Sequence, residues 1–365
     1  MGRSLEPAAN HAAAPRRDRP HPHAVFARCE GAYCFDRVDR RWHTVGDPTT
    51  LPDPDRLART ASPRSFDASF PDPTPNRGRY TAAVRRAVEY IRAGDIYQAN
   101  LTHRLSTPFS GSARGLFAAL AEADPVHGVY LEADHDRART VLCSASPELF
   151  LSYNPETRRL TTRPMKGTRP LAADPDELRD APKDRAELAM IVDLMRNDLG
   201  RVAEFGSVRV EHARTIERHA ASVLQATATI GATLRADRTL ADAIAAAFPA
   251  GSVTGAPKIR AMQIIDELED AARGPYCGTA GFIDDSGRAV LNVSIRTAAV
   301  SGTPDRSAAD AIGSGTLDYA VGAGIVADSD PDAEWDETLV KADALRRALT
   351  PRRAGSHGRP EPTTA

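Results

Sequence analysis

The sequence predicts an α+β fold built mainly on antiparallel sheet, and three observations carry that expectation. Many short strand-like runs follow one another in hairpin-like succession. Helices marked by 3.6-residue apolar stripes are interspersed among them. The chain has 365 residues, 41% of them hydrophobic, which is ample for a sizeable core, and no internal repeat divides it.

The first stretch, "MGRSLEPAANHAAAPRRDRPHPH", lacks the continuous apolar run of a signal peptide, so residues 1–22 read as a disordered leader. Residues 24–48 suggest short strands, and 49–77, rich in Pro, Asp and Ser, a linker or irregular loop. Residues 23–78 together are expected to belong to the main fold, which continues over 79–350. In "YTAAVRRAVEYIRAGD", Val84, Ala87, Val88 and Ile91 recur at helical spacing and Gly94 ends the helix. "IYQANLTHRLSTPF" then reads as a strand.

"TVLCSASPELFLSY" and "RRLTTRPM" flank the turn-like "NPET". This hairpin puts Glu148 on its first strand and Lys166 at the end of its second, so the two side chains can approach across the sheet, with the register left open. Residues 176–202 carry a helical stripe of Leu188, Ile191, Val192, Met195 and Leu199. Strands follow at "SVRVEHARTI", "GTAGFID", "AVLNVSIRTAAV" and "YAVGAGIVAD", with helices at 240–247 and 257–272. In the last helix, "PDAEWDETLVKADALRRAL", the apolar stripe is Trp335, Leu339, Ala342, Leu345 and Leu349. Residues 351–365 read as a disordered tail.

Net charge is −2 with acids and bases mixed along the chain, which gives no electrostatic case for nucleic acid or an anionic membrane. No segment is long and apolar enough to span a bilayer. Cys29, Cys34, Cys143 and Cys277 show neither CxxC pairing nor zinc-type histidine spacing, and read as reduced thiols of a cytoplasmic protein. Neither glycine run matches a dinucleotide fingerprint or a P-loop.

Lysine is rare, with four residues against 43 arginines. Arginine stays protonated, whereas a desolvated lysine can lose its proton, so a retained lysine marks sites that need an amine. Lys166, in "TTRPMKGTRP", is thereby a candidate for chemistry, beside the plain alternative of a surface lysine. Asp184 with Glu187, and Glu334 with Glu337, are acidic pairs one helical turn apart. If their helices meet, the four carboxylates suit one Mg²⁺ ion; taken singly, each pair also reads as a solvated helix face. "FPAGSVTGAPKIRAMQIIDELE" sets a small-residue loop before Pro257 in the first turn of a helix, leaving amides near Thr254, Gly255 and Ala256 for a carboxylate or phosphate. "VGAGIVAD" places Gly322 and Gly324 inside a strand, which suits close access to the backbone. Arg296 in "NVSIRT" can grip a carboxylate with two hydrogen bonds, or serve structurally at a strand end.

These segments resemble the chorismate-utilising enzymes, and among them the synthase component of aminodeoxychorismate synthases. The resemblance rests on eight stretches in the family's order, "GDIYQANLTHRL", "SASPELF", "TRPMKGT", "DRAELAMIVDLMRNDLGRV", "GSVTGAPK", "RGPYCGTAGFID", "NVSIRT" and "GAGIVADSDPDAEWDETLVKA". It implies a four-layer sandwich like that of anthranilate synthase component I, two mainly antiparallel sheets face to face with helices outside and the site in the cleft between them. It implies Mg²⁺ ligands at Glu187 and Glu337, supported by Asp184 and Glu334. Lys341, Arg296 and the backbone of Gly322 to Gly324 are implied to hold the substrate's carboxylates, with Thr254 and Gly255 nearby.

Position 166 separates activities within the resemblance. Anthranilate synthases have alanine in the matching "PIAGT", aminodeoxychorismate synthases lysine in "PIKGT", and this chain reads Pro164, Met165, Lys166, Gly167, Thr168. The implied activity is Mg²⁺-dependent amination of chorismate by ammonia to 4-amino-4-deoxychorismate, with Glu148 as general acid and Lys166 as covalent nucleophile. Gln225 occupies the place of a histidine linked to pyruvate elimination, although a slip in alignment would bring His219 there instead. No glutaminase or lyase signature is present, so ammonia is expected from a separate glutamine amidotransferase subunit, and a downstream aminodeoxychorismate lyase is expected to make 4-aminobenzoate for folate or an antibiotic. Anthranilate synthase component I, giving 2-aminobenzoate and pyruvate, is the alternative.

Overall fold

The computed structural model describes residues 21–36, 39–53, 65–122, 124–135, 138–219, 223–305 and 311–350. The expected tail, and the leader apart from His21 and Pro22, lie outside the described residues. Two large antiparallel sheets organise the chain. In the first sheet the order is β12 (Gly255–Ala256), β4 (Gln98–Ser112), β16 (Ala311–Ile325), β15 (Thr297–Pro304), β6 (Ala138–Ser146) and β5 (His127–His135), with β3 (Phe66–Asp67) also on β4. The second runs β10 (Arg209–His219), β11 (Val223–Thr233), β8 (Arg159–Arg163), β7 (Leu149–Asn154), β14 (Ala289–Asn292) and β13 (Gly281–Ile283), with β9 (Met165–Pro170) also on β11.

Seven α-helices of the described residues cover these sheets. Four lie on the first: α1 (Thr74–Arg92), α2 (Ala113–Ala121), α6 (Lys258–Leu268) and α7 (Pro331–Leu349). Three lie on the second: α3 (Pro175–Asp180), α4 (Pro182–Gly200) and α5 (Leu240–Ala247). One core packs Leu188, Ile191, Met195 and Leu199 of α4 against Leu160, Leu224, Ala226 and Ile230 of the second sheet. Two others pack Leu345 and Leu349 of α7 against Leu105 and Leu317, and Trp335 against Val84, Leu101 and Ala323. The expected four-layer arrangement is the one observed.

Local chemistry sets the helix ends. Asp330 accepts hydrogen bonds from the amides of Asp332 and Ala333 at the start of α7, with Pro331 in its first turn and Arg346 and Arg347 in its last. Thr239 and Asp242 cap α5 reciprocally. Helix α1 begins at Thr74, earlier than the expected Tyr80, and Gly94 follows it with φ +83°.

Three expectations need correction. The single helix over 176–202 is two, α3 and α4, divided at Ala181 in extended backbone before Pro182. The strand expected over "AVLNVSIRTAAV" is β14 in one sheet and β15 in the other, with a non-strand crossing at Val293–Arg296. Helix α6 begins after Pro257, which is its N-cap rather than part of its first turn. The N-terminal strands β1 (Gly31–Asp36) and β2 (Arg41–Gly46) form a separate ribbon paired only with each other.

Candidate active site

The chain passes between the sheets twice at adjacent points, and this builds the centre of the site. Ser146–Glu148 leads from β6 to β7, and Val293–Arg296 leads from β14 to β15. The crossings are hydrogen-bonded together: the Val293 amide donates to Glu148 O (3.0 Å), Ser146 Oγ to Val293 O (2.6 Å) and the Ala145 amide to Arg296 O (3.0 Å). Glu148 therefore lies in the break before β7, not on the hairpin strand expected for it. Pro147, which cannot donate to a ladder, is the sequence signal for that break. Both Glu148 and Arg296 line a cleft of about 2060 Å³ between the sheets.

Glu148 is 3% exposed and its Oε1 accepts from Ser252 Oγ at 2.6 Å. Burial pushes its carboxyl up to about 7, against the opposing pull of the Ser252 hydrogen bond and of Lys166. Arg296 is partly buried with φ +50°, and desolvation lowers its pKa.

Lys166 lies on β9 beyond the expected hairpin, because the chain breaks at Pro164 and pairs onward with β11. Its partner there is Ala226, while Thr168 pairs with Gln225, so Gly167 is bulged out between them with φ +76°. A Cβ on Gly167 would stand 2.7 Å from Leu178 Cδ1 and 2.9 Å from Asp184 Cγ. Glycine is what lets this strand pass against α4 with Lys166 aimed into the cleft. Lys166 Nζ is 4.0 Å from Glu187 Oε2 and only 3.1 Å from where a Cβ on Gly324 would stand. The missing side chain of Gly324 leaves room for this amine and for the Gln98 amide, whose Nε2 stands nearer still to the same point. Desolvation lowers the lysine's pKa and the Lys341 charge adds to the shift, with Glu187 opposing it.

An acid held near neutrality and a desolvated amine thus line one cleft. A model of the chorismate binding enzyme family matches residues 2–347. The chain belongs to this family. It is 42% identical over 299 residues to anthranilate synthase component 1 of Thermus thermophilus, covering 80% of this chain and 59% of that protein. Over 282 residues it is 39% identical to aminodeoxychorismate synthase component 1 of Klebsiella aerogenes, covering 75% and 58%. Anthranilate synthase component I of Streptococcus pneumoniae superposes with a TM-score of 0.66 at 28% identity, over 87% of this chain and 72% of that one. The chain spans about three fifths of the length of the two curated relatives, and relatives named for either activity match it at similar identity.

In this chorismate binding enzyme one acidic pair and Glu337 of the other reach the cleft, and each of the four carboxylates lies beside a cation. Asp184 is 2.9 Å from Arg169 Nη2, Glu187 4.0 Å from Lys166, Glu337 2.7 Å from Lys341 and Glu334 3.5 Å from Lys183. Asp184, Glu187 and Glu337 line the cleft, whereas Glu334 is 3% exposed and accepts from Ser329 Oγ at 2.7 Å. Burial raises the Glu187 pKa; in Glu337 the charges of Lys341, Lys166 and Lys183 outweigh burial and lower it. Among the described residues, no three His, Cys, Asp or Glu side chains lie close enough to hold an ion by themselves.

Lys341 Nζ donates to Gly322 O at 2.8 Å, and Gly322 and Gly324 line the cleft as expected. Thr254 and Gly255 are not among its lining residues. The Thr254 hydroxyl donates to Ala250 O and its amide to Gly251 O, while Gly255 and Ala256 pair with Ala99 and Gln98 as β12. Ser252 and Val253 face the cleft instead. Gln225 also lines it, donating from Nε2 to Thr168 Oγ1 at 3.2 Å. The sequence reading missed Ser252, Asn100 and the ion pair partners Arg169 and Lys183.

Proposed function

We propose that this protein is the chorismate-aminating component of an aminodeoxychorismate synthase, converting chorismate and ammonia to 4-amino-4-deoxychorismate through a covalent intermediate on Lys166. The observation that carries the reading is the largely desolvated Lys166 amine beside Gly324, in a cleft that also holds the protonatable Glu148. A desolvated amine is a nucleophile, and a carboxyl near pH 7 is an acid that can protonate a departing hydroxyl.

The steps balance as follows. The neutral Lys166 amine bonds to ring carbon C2, the two ring double bonds shift, and the C4–O bond breaks as Glu148 gives its proton to the oxygen, which leaves as water. Ammonia then adds at C4, the double bonds return and the C2–N bond breaks. The surplus proton on the incoming nitrogen returns to Glu148, and both residues end as they began. Arg296 and Lys341 supply the positive charge that a dianionic substrate requires.

Glu187 and Glu337 fit Mg²⁺, a hard ion commonly held by one or two carboxylates with substrate oxygens completing its shell. Such an ion would offset the charge of the ring carboxylate. Ammonia is assigned to a separate glutamine amidotransferase subunit, and conversion of the product to 4-aminobenzoate, for folate or an antibiotic, to a downstream lyase.

Relatives named anthranilate synthase support a second reading, with 2-aminobenzoate and pyruvate as products. Lys166 argues against it, as does Gln225, whose amide cannot serve as a base for pyruvate elimination. Mass spectrometry of the product after incubation with chorismate, Mg²⁺ and ammonium separates the two. The expected product keeps its enolpyruvyl group; 2-aminobenzoate with pyruvate would refute the assignment.

A further inference from the structure

We propose that Asn100 is a substrate-binding residue of this cleft, its Nδ2 donating to the ring carboxylate; the inference rests on the chorismate reading above. On β4, Ala99 and Leu101 turn into the core at 0% and 1% exposure, so the alternating Asn100 takes the other face and lines the cleft. Asn100 is 7% exposed and Nδ2 is buried with no partner. A buried donor left unpaired is costly, and natural structures retain such groups chiefly where a ligand completes them.

The position is fixed from behind. The Asn100 amide donates to Thr254 O at 2.7 Å, and Asn100 O accepts from Arg273 Nη2 at 2.6 Å. Arg273 is itself clamped by Glu269 at 2.6 Å and donates to Val253 O at 2.7 Å. The residue opposite Asn100 across the β4–β16 pair is Gly324, the glycine over which the Lys166 amine sits. The orphaned donor therefore adjoins the attacking nitrogen. If that nitrogen reaches C2, the acceptor next to it is the carboxylate on C1. Gln98 Oε1 and Gln225 Oε1 are also buried without partners, but both are acceptors and cannot answer a dianion.

The test measures dissociation constants by calorimetry with Mg²⁺ and no ammonia, in a Lys166→Ala background so that no adduct forms. The ligands are chorismate and trans-3,4-dihydroxycyclohexa-1,5-diene-1-carboxylate, which keeps the ring carboxylate and lacks the enolpyruvyl group. Asn100→Leu is expected to weaken both by about ten-fold, the value of one hydrogen bond to a charged group, and Asn100→Asp by more. Its melting temperature should hold or rise, because an unpaired buried amide has been replaced by an apolar group of similar shape. Unchanged affinity for both ligands overturns the inference. Loss confined to chorismate overturns the carboxylate assignment, and a fall in stability alongside affinity marks a structural role and overturns it too. Failure of the Lys166→Ala parent to bind chorismate refutes the functional reading itself, a result distinct from failure at Asn100.

Discussion

At the residue scale, the chemistry turns on two groups whose environments push their pKa values toward each other. Glu148→Gln should lower kcat by roughly 10²–10⁴-fold, the usual worth of a positioned general acid. The same variant carries a stability signature. With its folded value near 7 against 4.5, Glu148 costs nothing below pH 4.5, where it is protonated folded or unfolded. From pH 4.5 to 7 the unfolded chain gives up the proton and the folded one keeps it, so stability falls by about 3 kcal/mol, and above 7 it levels. Glu148→Gln should therefore be more stable than the parent at pH 8 and much closer to it at pH 5, by urea unfolding. An equal difference at both pH values would show that burial is not what shifts this carboxyl. The rarity of lysine made Lys166 legible in the sequence, but the same argument points at Lys258. That amine is buried and structural, donating to Asp198 Oδ2, Ala247 O and Pro249 O. Rarity marks a needed amine without saying whether it reacts.

At the element scale, the site depends on breaks in regular structure. Strand patterning located β4, β8 and the second half of β16, because alternation and turn residues are local signals, but it ran β6 and β7 together as one strand. It joined β14 to β15 and put Glu148 on a strand, because the crossing between sheets is decided by which ladder offers a partner, a long-range matter. Ser252 was missed for the same reason: nothing within the loop says that Glu148, 104 residues away, will accept from it. Gly167 tests the bulge. Gly167→Ala should cost roughly 1–2 kcal/mol for the left-handed backbone, plus the displacement of Leu178 and Asp184, and should lower kcat along with stability. Arg273→Met tests the clamp behind β4. Leaving Glu269 buried without its partner should cost about 3–5 kcal/mol in urea unfolding, and a loss under 1 kcal/mol would show the clamp to be dispensable.

At the scale of the molecule, Glu148 at the crossing between the sheets and Lys166 on β9 of the second sheet line one cleft, and helices α4 and α7 bring Asp184, Glu187 and Glu337 to it. The four-layer fold was legible from the resemblance carried by eight motifs; composition and periodicity alone reached only α+β with antiparallel sheet. The ribbon of β1 and β2 joins neither large sheet, so replacing residues 31–46 by a short Gly-Ser linker should leave the main unfolding transition within about 1 kcal/mol of the parent. A larger loss would show that the ribbon supports the fold. The central claim is a bond between Lys166 and substrate carbon, and intact-protein mass spectrometry reads it directly. With chorismate and Mg²⁺ but no ammonia, the protein should gain the mass of chorismate less one water, on the peptide containing Lys166, and lose it when ammonium is added. Aminated product formed at full rate by Lys166→Ala, with no adduct in the parent, would contradict the account.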